Sequence, residues 1–550
     1  MIRISELALP LDHSGADLEA AARRRLGLAP EEPATIAIFK RSVDARKRKA
    51  IRLVYILDVA LPGASREAEL LRQHSGDRHI LPTPDSTYRF MARAPADFSG
   101  PRPVVIGMGP CGLFAALTLA EMGFRPLLLE RGKRVRERTV DTFGFWRKGV
   151  LDPESNVQFG EGGAGTFSDG KLYSQVRDPR HLGRKVLTDF VAAGAPQEIL
   201  WVHRPHIGTF KLVKVVESLR AKIESLGGEI RFQSRVERLL LGDGEQRRVR
   251  GVQLASGEEI AADQVVLAVG HSARDTFAAL LAQGVTIEPK PFSIGFRIEH
   301  PQSLIDSCRF GAQAGHPKLG AADYRLVHHA SNGRTVYSFC MCPGGTVVAA
   351  ASEPGRVVTN GMSQYDRSER NANAGIVVGI TPADYPLGPL AGIEFQRKWE
   401  AAAFAAGGGN YDAPAQRVED FLAGRPSTHL GAVLPSYTPG VKPTDLATCL
   451  PDWAIAAIRE AIPAFDRKIP GFAMADALLT GVETRTSSPI SIRREDKTLE
   501  SVNTPGLYPG GEGAGYAGGI LSAAIDGIQV AEAVALAGMG AHAQVRTGEP

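Results

Sequence analysis

Cysteine is scarce in this chain, with five residues among 550. So few thiols exclude a disulfide framework and are typical of a protein that folds in a reducing compartment. Charge of one sign is lacking too, because 64 basic residues face 60 acidic ones and leave a net charge of +4. Composition alone therefore gives no reason to expect a nucleic-acid partner.

A targeting or membrane segment is also missing. The opening MIRISELALP has no charged start, long apolar stretch or small-residue cleavage site. We find no apolar run that approaches the length needed to cross a bilayer. These absences predict a cytoplasmic protein without a membrane span, and the length is enough for two or three domains.

Glycine, by contrast, is abundant, with 60 residues. Residues 104–130, VVIGMGPCGLFAALTLAEMGFRPLLLE, predict a strand, a glycine turn, a helix and a second strand. Gly107 permits the tight turn, Gly109 lets a pyrophosphate approach the backbone, and Gly112 lets the helix pack on the strand. Glu130 ends the second strand about twenty residues on, where it can bind a ribose. The unit therefore predicts a dinucleotide site at the helix N-terminus.

Two further glycine-rich segments flank the main body. The loop 156–174, NVQFGEGGAGTFSDGKLYS, contains several glycines, among them Gly163, which let backbone N–H groups converge on a phosphate or a ring edge. The segment 506–535 joins a short strand to Gly511, Glu512 and a long helix. Both segments predict a second part of the same cofactor site.

The residues before the dinucleotide unit, 1–97, predict a small α+β domain. Their hydrophobic alternation and helical spacing predict five elements: strand Ile2–Leu9, helix Ala16–Leu26, strand Thr35–Ser42, strand Ile51–Val59 and helix Ser65–Gln73. The polar, Pro/Gly-rich segment 95–103 is the expected linker.

Basic residues crowd the segment 40–52 of this domain, and two interpretations stay open. The segment carries Lys40, Arg41, Arg52 and the run Arg46–Lys49. A basic hairpin tip could contact RNA or another anionic partner. The alternative is a solvated hairpin with scattered charge, since acidic residues nearly balance the domain and no aromatic residues interleave with the basic run.

Further strings complete a recognisable set: LAVGHSARDT, YSFCMCPGG, GVETRTSSP and YPGGEGAGYAGGI. With the glycine-rich segments they resemble the bacterial FAD-dependent dehydrogenase family of NAD(P)/FAD-dependent oxidoreductases, whose small N-terminal domain the first residues also resemble. The resemblance implies an α/β fold similar to glutathione reductase and p-hydroxybenzoate hydroxylase, with a Rossmann-like FAD-binding domain. The expected domains are 1–97 (small α+β), 98–280 with 480–550 (FAD-binding) and 281–479 (an inserted mixed α/β substrate-side domain).

The resemblance implies FAD as cofactor. Its ADP-binding motif matches the first glycine segment, and its flavin-side motif matches 511–513, where Glu512 would bind a ribityl or pyrophosphate-side hydroxyl. The backbone near Val236 would hold the adenine, and the last helix would direct its N-terminal dipole at the flavin pyrimidine edge. The residues expected to bind FAD are Gly107, Gly109, Pro110, Cys111, Gly112, Glu130, Arg131, Gly163, Gly165, Val236, Gly270, Gly511, Glu512, Gly513, Gly519 and Ile520.

Two features of flavin disulfide reductases are missing from the sequence: a second Gly-x-Gly-x-x-Gly unit for NAD(P)H and a Cys-x-x-x-x-Cys pair. We therefore expect NAD(P)H to bind transiently or a protein to donate electrons. Cys340 and Cys342 alternate on a predicted strand, where they could exchange electrons with flavin, bind a metal with a third ligand, or be two small buried residues. His328 and His329 have no ligand spacing, so we expect no metal.

Lys171, His271 and Arg485 are the catalytic candidates, with Ser168 and Asp169 nearby, because a cation near the flavin would support a reduced anion. The predicted activity is an FAD-dependent dehydrogenase or reductase that moves hydride or electrons to or from a small organic substrate, in a cleft against residues 280–480. Three alternatives stay open: an FAD-dependent hydroxylase with transient NAD(P)H, an RNA-associated flavoprotein, and a flavin-bound scaffold without turnover.

Overall fold

The protein was analysed as a computed structural model that describes residues 1–95, 100–243 and 247–540. Parts of the predicted linker 95–103 and of the segment 480–550 lie outside the described residues. Helices and sheets alternate through the chain, so the α/β class is confirmed.

The N-terminal region is a four-stranded antiparallel sheet with two helices, in the strand order β2-β3-β1-β4. Alternating residues of β3, among them Leu53, Tyr55 and Leu57, are buried against the helices. The five predicted elements are confirmed, and the short fourth strand was missed. The elements are β1 (Ile2–Pro10), α1 (Gly15–Leu26), β2 (Thr35–Asp44), β3 (Arg52–Ala60), α2 (Ala64–Gln73) and β4 (Ile80–Pro82).

The hairpin between β2 and β3 docks on the rest of the chain. The Arg41 backbone N–H donates to Trp201 O at 2.6 Å, and its carbonyl accepts from the His203 N–H at 2.8 Å. Ala45 and Ile51 are buried in a hydrophobic cluster formed by the central region of the protein. The basic tip between these two residues is exposed.

The predicted βαβ unit forms in the next region. Strands β8, β9 and β10 make an antiparallel sheet of three strands. The elements are β5 (Val104–Ile106), α3 (Pro110–Glu121), β6 (Leu127–Leu129), α4 (Val135–Lys148), α5 (Leu182–Ala192), α6 (Thr209–Ser225), β7 (Glu229–Arg231), β8 (Val236–Leu241), β9 (Val249–Leu254), β10 (Glu259–Ala261), β11 (Val265–Leu267), α7 (Arg274–Ala282) and β12 (Ile287–Pro289).

The remaining chain builds an eight-stranded sheet and then returns to the dinucleotide unit. The sheet has the order β14-β15-β17-β13-β20-β18-β19, with β16 paired to β15. The elements are β13 (Phe292–Pro301), α8 (Gln302–Phe310), β14 (Val327–His329), β15 (Thr335–Ala349), β16 (Thr359–Ser363), β17 (Asn371–Ile380), α9 (Ala391–Gly407), β18 (Ala413–Arg417), α10 (Val418–Ala423), β19 (Val441–Pro443), α11 (Asp452–Asp466), β20 (Leu478–Glu483), β21 (Ile490–Ile492), β22 (Leu507–Pro509) and α12 (Ile520–Gly538).

A parallel five-stranded sheet with the order β22-β11-β5-β6-β7 carries the glycine turns. The first strand of the unit, β5, has the second strand on one side and the later β11 on the other. Ligands of open parallel sheets bind at this kind of switch point, beyond the carboxyl ends of the strands. The topology therefore places the site at the ends of β5 and β11.

The sequence was expected to contain no apolar run of membrane-spanning length, and helix α12 shows that this expectation was wrong. It is long and apolar enough to cross a membrane by length and composition, with a mean hydropathy of 1.6. In the structure 78% of that stretch is buried, and α12 packs against α3 and α5. Its apolar character is therefore accounted for by packing inside the protein.

Candidate functional site

The carboxyl ends of β5, β6, β11 and β22 open into one cleft of about 1530 Å³. These strand ends form one wall of the cleft, and the glycine loop 156–174 contributes a second part of that wall. The opposite wall comes from the large sheet and its connections, chiefly residues 323–327 and 337–341. The cleft thus lies between the dinucleotide unit and the large sheet.

Three glycine segments approach one another so closely that side chains are excluded. A Cβ on Gly107, whose φ is +97°, would lie 2.4 Å from Ala268 O. A Cβ on Gly163 would lie 2.7 Å from Gly109 Cα, where the first two glycine loops touch. Backbone N–H groups without Cβ atoms around them form a cradle suited to a pyrophosphate.

Glu130 joins the first glycine turn to the second loop. Its buried carboxylate accepts from the backbone N–H groups of Met108 at 2.8 Å, Gly132 at 2.8 Å and Gly160 at 3.0 Å. Glu130 also lines the cleft, where the ribose contact stays a prediction. Sequence analysis missed the bond to Gly160, because no local pattern links the two segments.

The cleft brings together fourteen of the sixteen residues expected to bind FAD. The two exceptions are Gly112 and Gly513. A Cβ on Gly112 would lie 1.9 Å from Gly107 O, and one on Gly513 would lie 2.4 Å from Gly270 O. These two glycines therefore shape the loops that carry the others.

The predicted adenine end contains a charged cluster. Arg131 pairs with Glu154 and Asp275, each at 2.9 Å, and Arg235 pairs with the same Asp275 at 3.2 Å. Val236 follows Arg235 and lines the cleft beside it. The guanidinium of Arg131 already has two carboxylate partners, and these ion pairs hold the predicted adenine end of the cleft in place.

One carboxyl oxygen of Glu512 makes no hydrogen bond to the described residues. Its Oε1 atom is shielded from solvent and has no hydrogen-bond partner among the described residues. Burial raises its pKa to about 8, so the carboxyl is mostly protonated at neutral pH. A buried polar atom without a partner is costly, and a hydroxyl of a bound nucleotide cofactor would satisfy it. This atom and the glycine cradle both fit FAD.

Lys171 is a fixed cation in the cleft wall. Its Nζ lies 3.1 Å from Asp169 Oδ2 and donates to the carbonyl of Met341. Burial disfavours the charged form, but the Asp169 carboxylate outweighs it and raises the pKa of Lys171 above its usual range. Arg367 donates to both oxygens of the same carboxylate, to Oδ1 at 2.9 Å and to Oδ2 at 2.6 Å. Lys171 is therefore charged at every physiological pH.

His271 and Arg485 meet through one hydroxyl. His271 Nδ1 lies 3.0 Å from Ser272 Oγ, to which Arg485 donates at 3.0 Å. Burial, with the charges of Arg485 and Arg274, lowers the pKa of His271 to about 3. The imidazole is neutral at pH 7, so it is not the cation that the sequence predicts near the flavin.

Residues of the far wall were missed by sequence analysis. Arg297 is fully buried and pairs with Glu483 at 2.8 Å. The pairing of β15, β17, β13 and β20 alone brings both near Tyr337 and Phe339, which line the cleft from β15. No local motif marks them, because their proximity depends on contacts between distant segments.

The comparisons with known proteins agree with this site. A model for "FAD dependent oxidoreductase" matches residues 170–302, and one for "FAD-dependent protein, C-terminal domain-like" matches residues 291–486. A domain of unknown function matches residues 1–60. A protein of Clostridium beijerinckii described as uncharacterized is 47% identical over 540 residues, which cover 96% of this chain and 98% of the relative.

Two solved structures resemble this chain weakly. CtdE in complex with FAD is 12% identical, covers 80% of this chain and 84% of its own, and has a TM-score of 0.31. A 3-ketosteroid-Δ4-(5α)-dehydrogenase from Rhodococcus jostii is 13% identical, with 81% and 99% covered and a TM-score of 0.35. Scores this low assign no substrate. On the family models and the full-length relative, the chain belongs to the FAD-dependent oxidoreductases, and FAD is its cofactor.

Proposed function

We propose that the protein is a dehydrogenase or reductase whose organic substrate binds between the FAD and the large sheet. The observation that carries this proposal is the shared cleft. One wall contains the glycine cradle, and the other is lined by aromatic and charged side chains of the large sheet and its connections. Cofactor and substrate sites thus face each other in a single volume.

The chain's own residues divide the binding of FAD among them. The cradle of Gly107, Gly109 and Gly163 would hold the pyrophosphate, and Glu130 the adenosine ribose. Glu512 would hold a hydroxyl near the flavin, with its proton on the carboxyl at neutral pH. When bound, FAD supplies the hydride- or electron-transfer chemistry.

The far wall sets what a substrate meets. Tyr324 and Phe339 on this wall, with Tyr173 on the glycine loop, offer ring surfaces, which suit an unsaturated or hydroxylated organic molecule. Burial raises the pKa of Tyr324 above its usual range, so its hydroxyl keeps its proton and can donate a hydrogen bond. That oxygen has no partner in the part of the chain that the structure describes. Lys171 adds a permanent positive charge for an anionic group.

An anaerobic half-reaction tests the proposal. The protein with oxidised FAD is first mixed with unsaturated and hydroxylated compounds as electron donors. The bound flavin is then photoreduced, and the oxidised forms of the same compounds are added as electron acceptors. We expect one class to exchange electrons with the flavin, seen as loss or return of its absorbance. Tyr324→Phe should slow that exchange, while Tyr365→Phe, outside the cleft lining, should not.

The hydroxylase alternative gives a different result. NADPH would reduce the flavin rapidly only with a substrate present, and oxygen would then enter the product. If no organic compound and no nicotinamide reacts in either direction, the protein is the scaffold without turnover and the proposal is wrong.

A further inference from the structure

We propose that Cys340 and Cys342 form a reversible dithiol–disulfide couple in the wall of the cleft, which passes electrons between FAD and an organic disulfide. The couple itself needs no turnover, and only its exchange with FAD rests on the proposed function. Among the described residues, no group of three metal-ligating side chains includes these cysteines, so the third ligand of a metal site is missing.

An irregularity in β15 brings the two thiols together. Alternate residues of a regular strand lie about 6.6 Å apart, near the upper limit for a disulfide. Here the φ of Cys340 is +42°, and the pairing of β15 with β17 shifts register between Phe339 and Cys342. The Cys342 thiol donates to Cys340 O, with Sγ 3.3 Å from that oxygen. Both cysteines are free in this structure.

Two cations are anchored to the same peptide segment. Lys171 donates to the carbonyl of Met341, between the cysteines, and Arg297 Nη1 donates to Cys340 O at 2.9 Å. The neighbouring Cys342 thiol, and after it these two cations, hold the pKa of Cys340 below the usual range of a thiol. A thiolate is the nucleophile in disulfide exchange.

Other titratable groups face the pair and oppose the cations in part. Asp169 and Glu483 are the carboxylate partners of Lys171 and Arg297. Tyr173 and Glu512 stay mostly protonated at neutral pH, because burial raises the pKa of both. Cys340 and Glu512 of the flavin-side motif line the same cleft.

Accessibility divides the roles. Cys340 lines the cleft, whereas Cys342 is buried behind it. The Cys340 thiolate attacks a disulfide, forming a mixed disulfide and releasing one thiolate. Cys342 then passes its proton to the released thiolate and attacks the Cys340 sulfur, releasing the second thiolate and closing the internal disulfide. The couple regains one thiolate and one thiol on receiving two electrons and one proton from reduced FAD.

A thiol–disulfide titration tests the couple directly. The FAD-loaded protein is equilibrated with mixtures of reduced and oxidised glutathione, quenched in acid and alkylated, and the peptide that holds both cysteines is analysed by mass spectrometry. We expect this peptide to lose the mass of two hydrogen atoms reversibly and to carry no covalently bound glutathione. Cys340→Ser and Cys342→Ser should abolish it, and Cys308→Ser, which removes a distant thiol, should not.

Two further readouts decide the proposal. Alkylation of Cys340 by iodoacetamide should titrate below the usual pH range of a thiol, and Lys171→Met should move that midpoint upward. Reductive titration of the oxidised protein should take two more electrons per FAD than titration of Cys342→Ser. Thiols that stay reduced, or that form only mixed disulfides with glutathione, overturn the couple. If the disulfide forms but the reductive titration takes no extra electrons, the proposed exchange with FAD is wrong. Neither the glutathione titration nor the reductive titration depends on substrate turnover.

Discussion

Gly163 is the residue at which the first two glycine loops touch. Its φ is +64°, and a Cβ on it would lie 2.7 Å from Gly109 Cα, so alanine is doubly unfavourable there. We expect Gly163→Ala to weaken FAD binding about tenfold or more, which is about 1.4 kcal/mol. Equilibrium dialysis of the apoprotein with FAD measures this. Gly144→Ala, in α4 with open space around it, should bind FAD normally.

Glu512 gives the apoprotein a pH dependence of known sign. Its pKa rises from 4.5 to about 8 on burial, so the folded state binds a proton that the unfolded state has released between these values. The stability of the apoprotein should therefore fall as pH rises from about 5 to about 8. Glu512→Gln removes this contribution.

Thermal unfolding of the apoproteins at several pH values measures the difference. The Tm of wild type should decline relative to that of Glu512→Gln across the window, with little further change above it. Parallel Tm curves would contradict the raised pKa. Glu394→Gln, an exposed carboxyl on α9, is the matched control.

At the scale of elements, the glycine-rich segments were predictable and the large sheet was not. The β5-α3-β6 unit needs only its own residues, since the turn, the helix and Glu130 lie within one stretch of sequence. In the large sheet β13 pairs with β17 and β20, far along the chain. Register between such strands depends on which buried faces meet, so single-sequence patterns predicted mixed α/β structure there without its topology.

RNA binding by the basic tip of the hairpin between β2 and β3 stays a prediction. Its tip is exposed, although its two ends are buried against the body. If the tip binds RNA, joint replacement of Lys47, Arg48 and Lys49 by Ala should abolish tRNA binding and flatten its salt dependence, because phosphate contacts release counterions.

Filter binding at several salt concentrations provides the measurement. Arg72→Ala with Arg78→Ala, two exposed arginines elsewhere in the same domain, should leave binding unchanged. No binding by the wild type at low salt would favour the solvated hairpin.

At the scale of the whole molecule, a buried ion network joins the cofactor side to the large sheet. Glu400 on α9 is fully buried and accepts from Arg274 of α7 at 2.7 Å and from Arg485, just after β20, at 3.2 Å. The two arginines hold the pKa of Glu400 well below its usual range, so it is ionised at neutral pH. Arg485 also reaches Ser272, next to His271.

Removing the charge of Glu400 should therefore act on stability and on the cleft together. Glu400→Gln leaves the buried guanidinium of Arg485 without its carboxylate and Arg274 with Glu353 alone, and breaking a buried pair in this way typically costs about 3–5 kcal/mol. We expect a lower urea midpoint and, through Arg485 and Ser272, an altered absorption spectrum of bound FAD. Glu394→Gln on the exposed side of the same helix should change neither. A destabilised variant with an unchanged flavin spectrum would mean that the network holds the two sheets together without setting the environment of the cofactor.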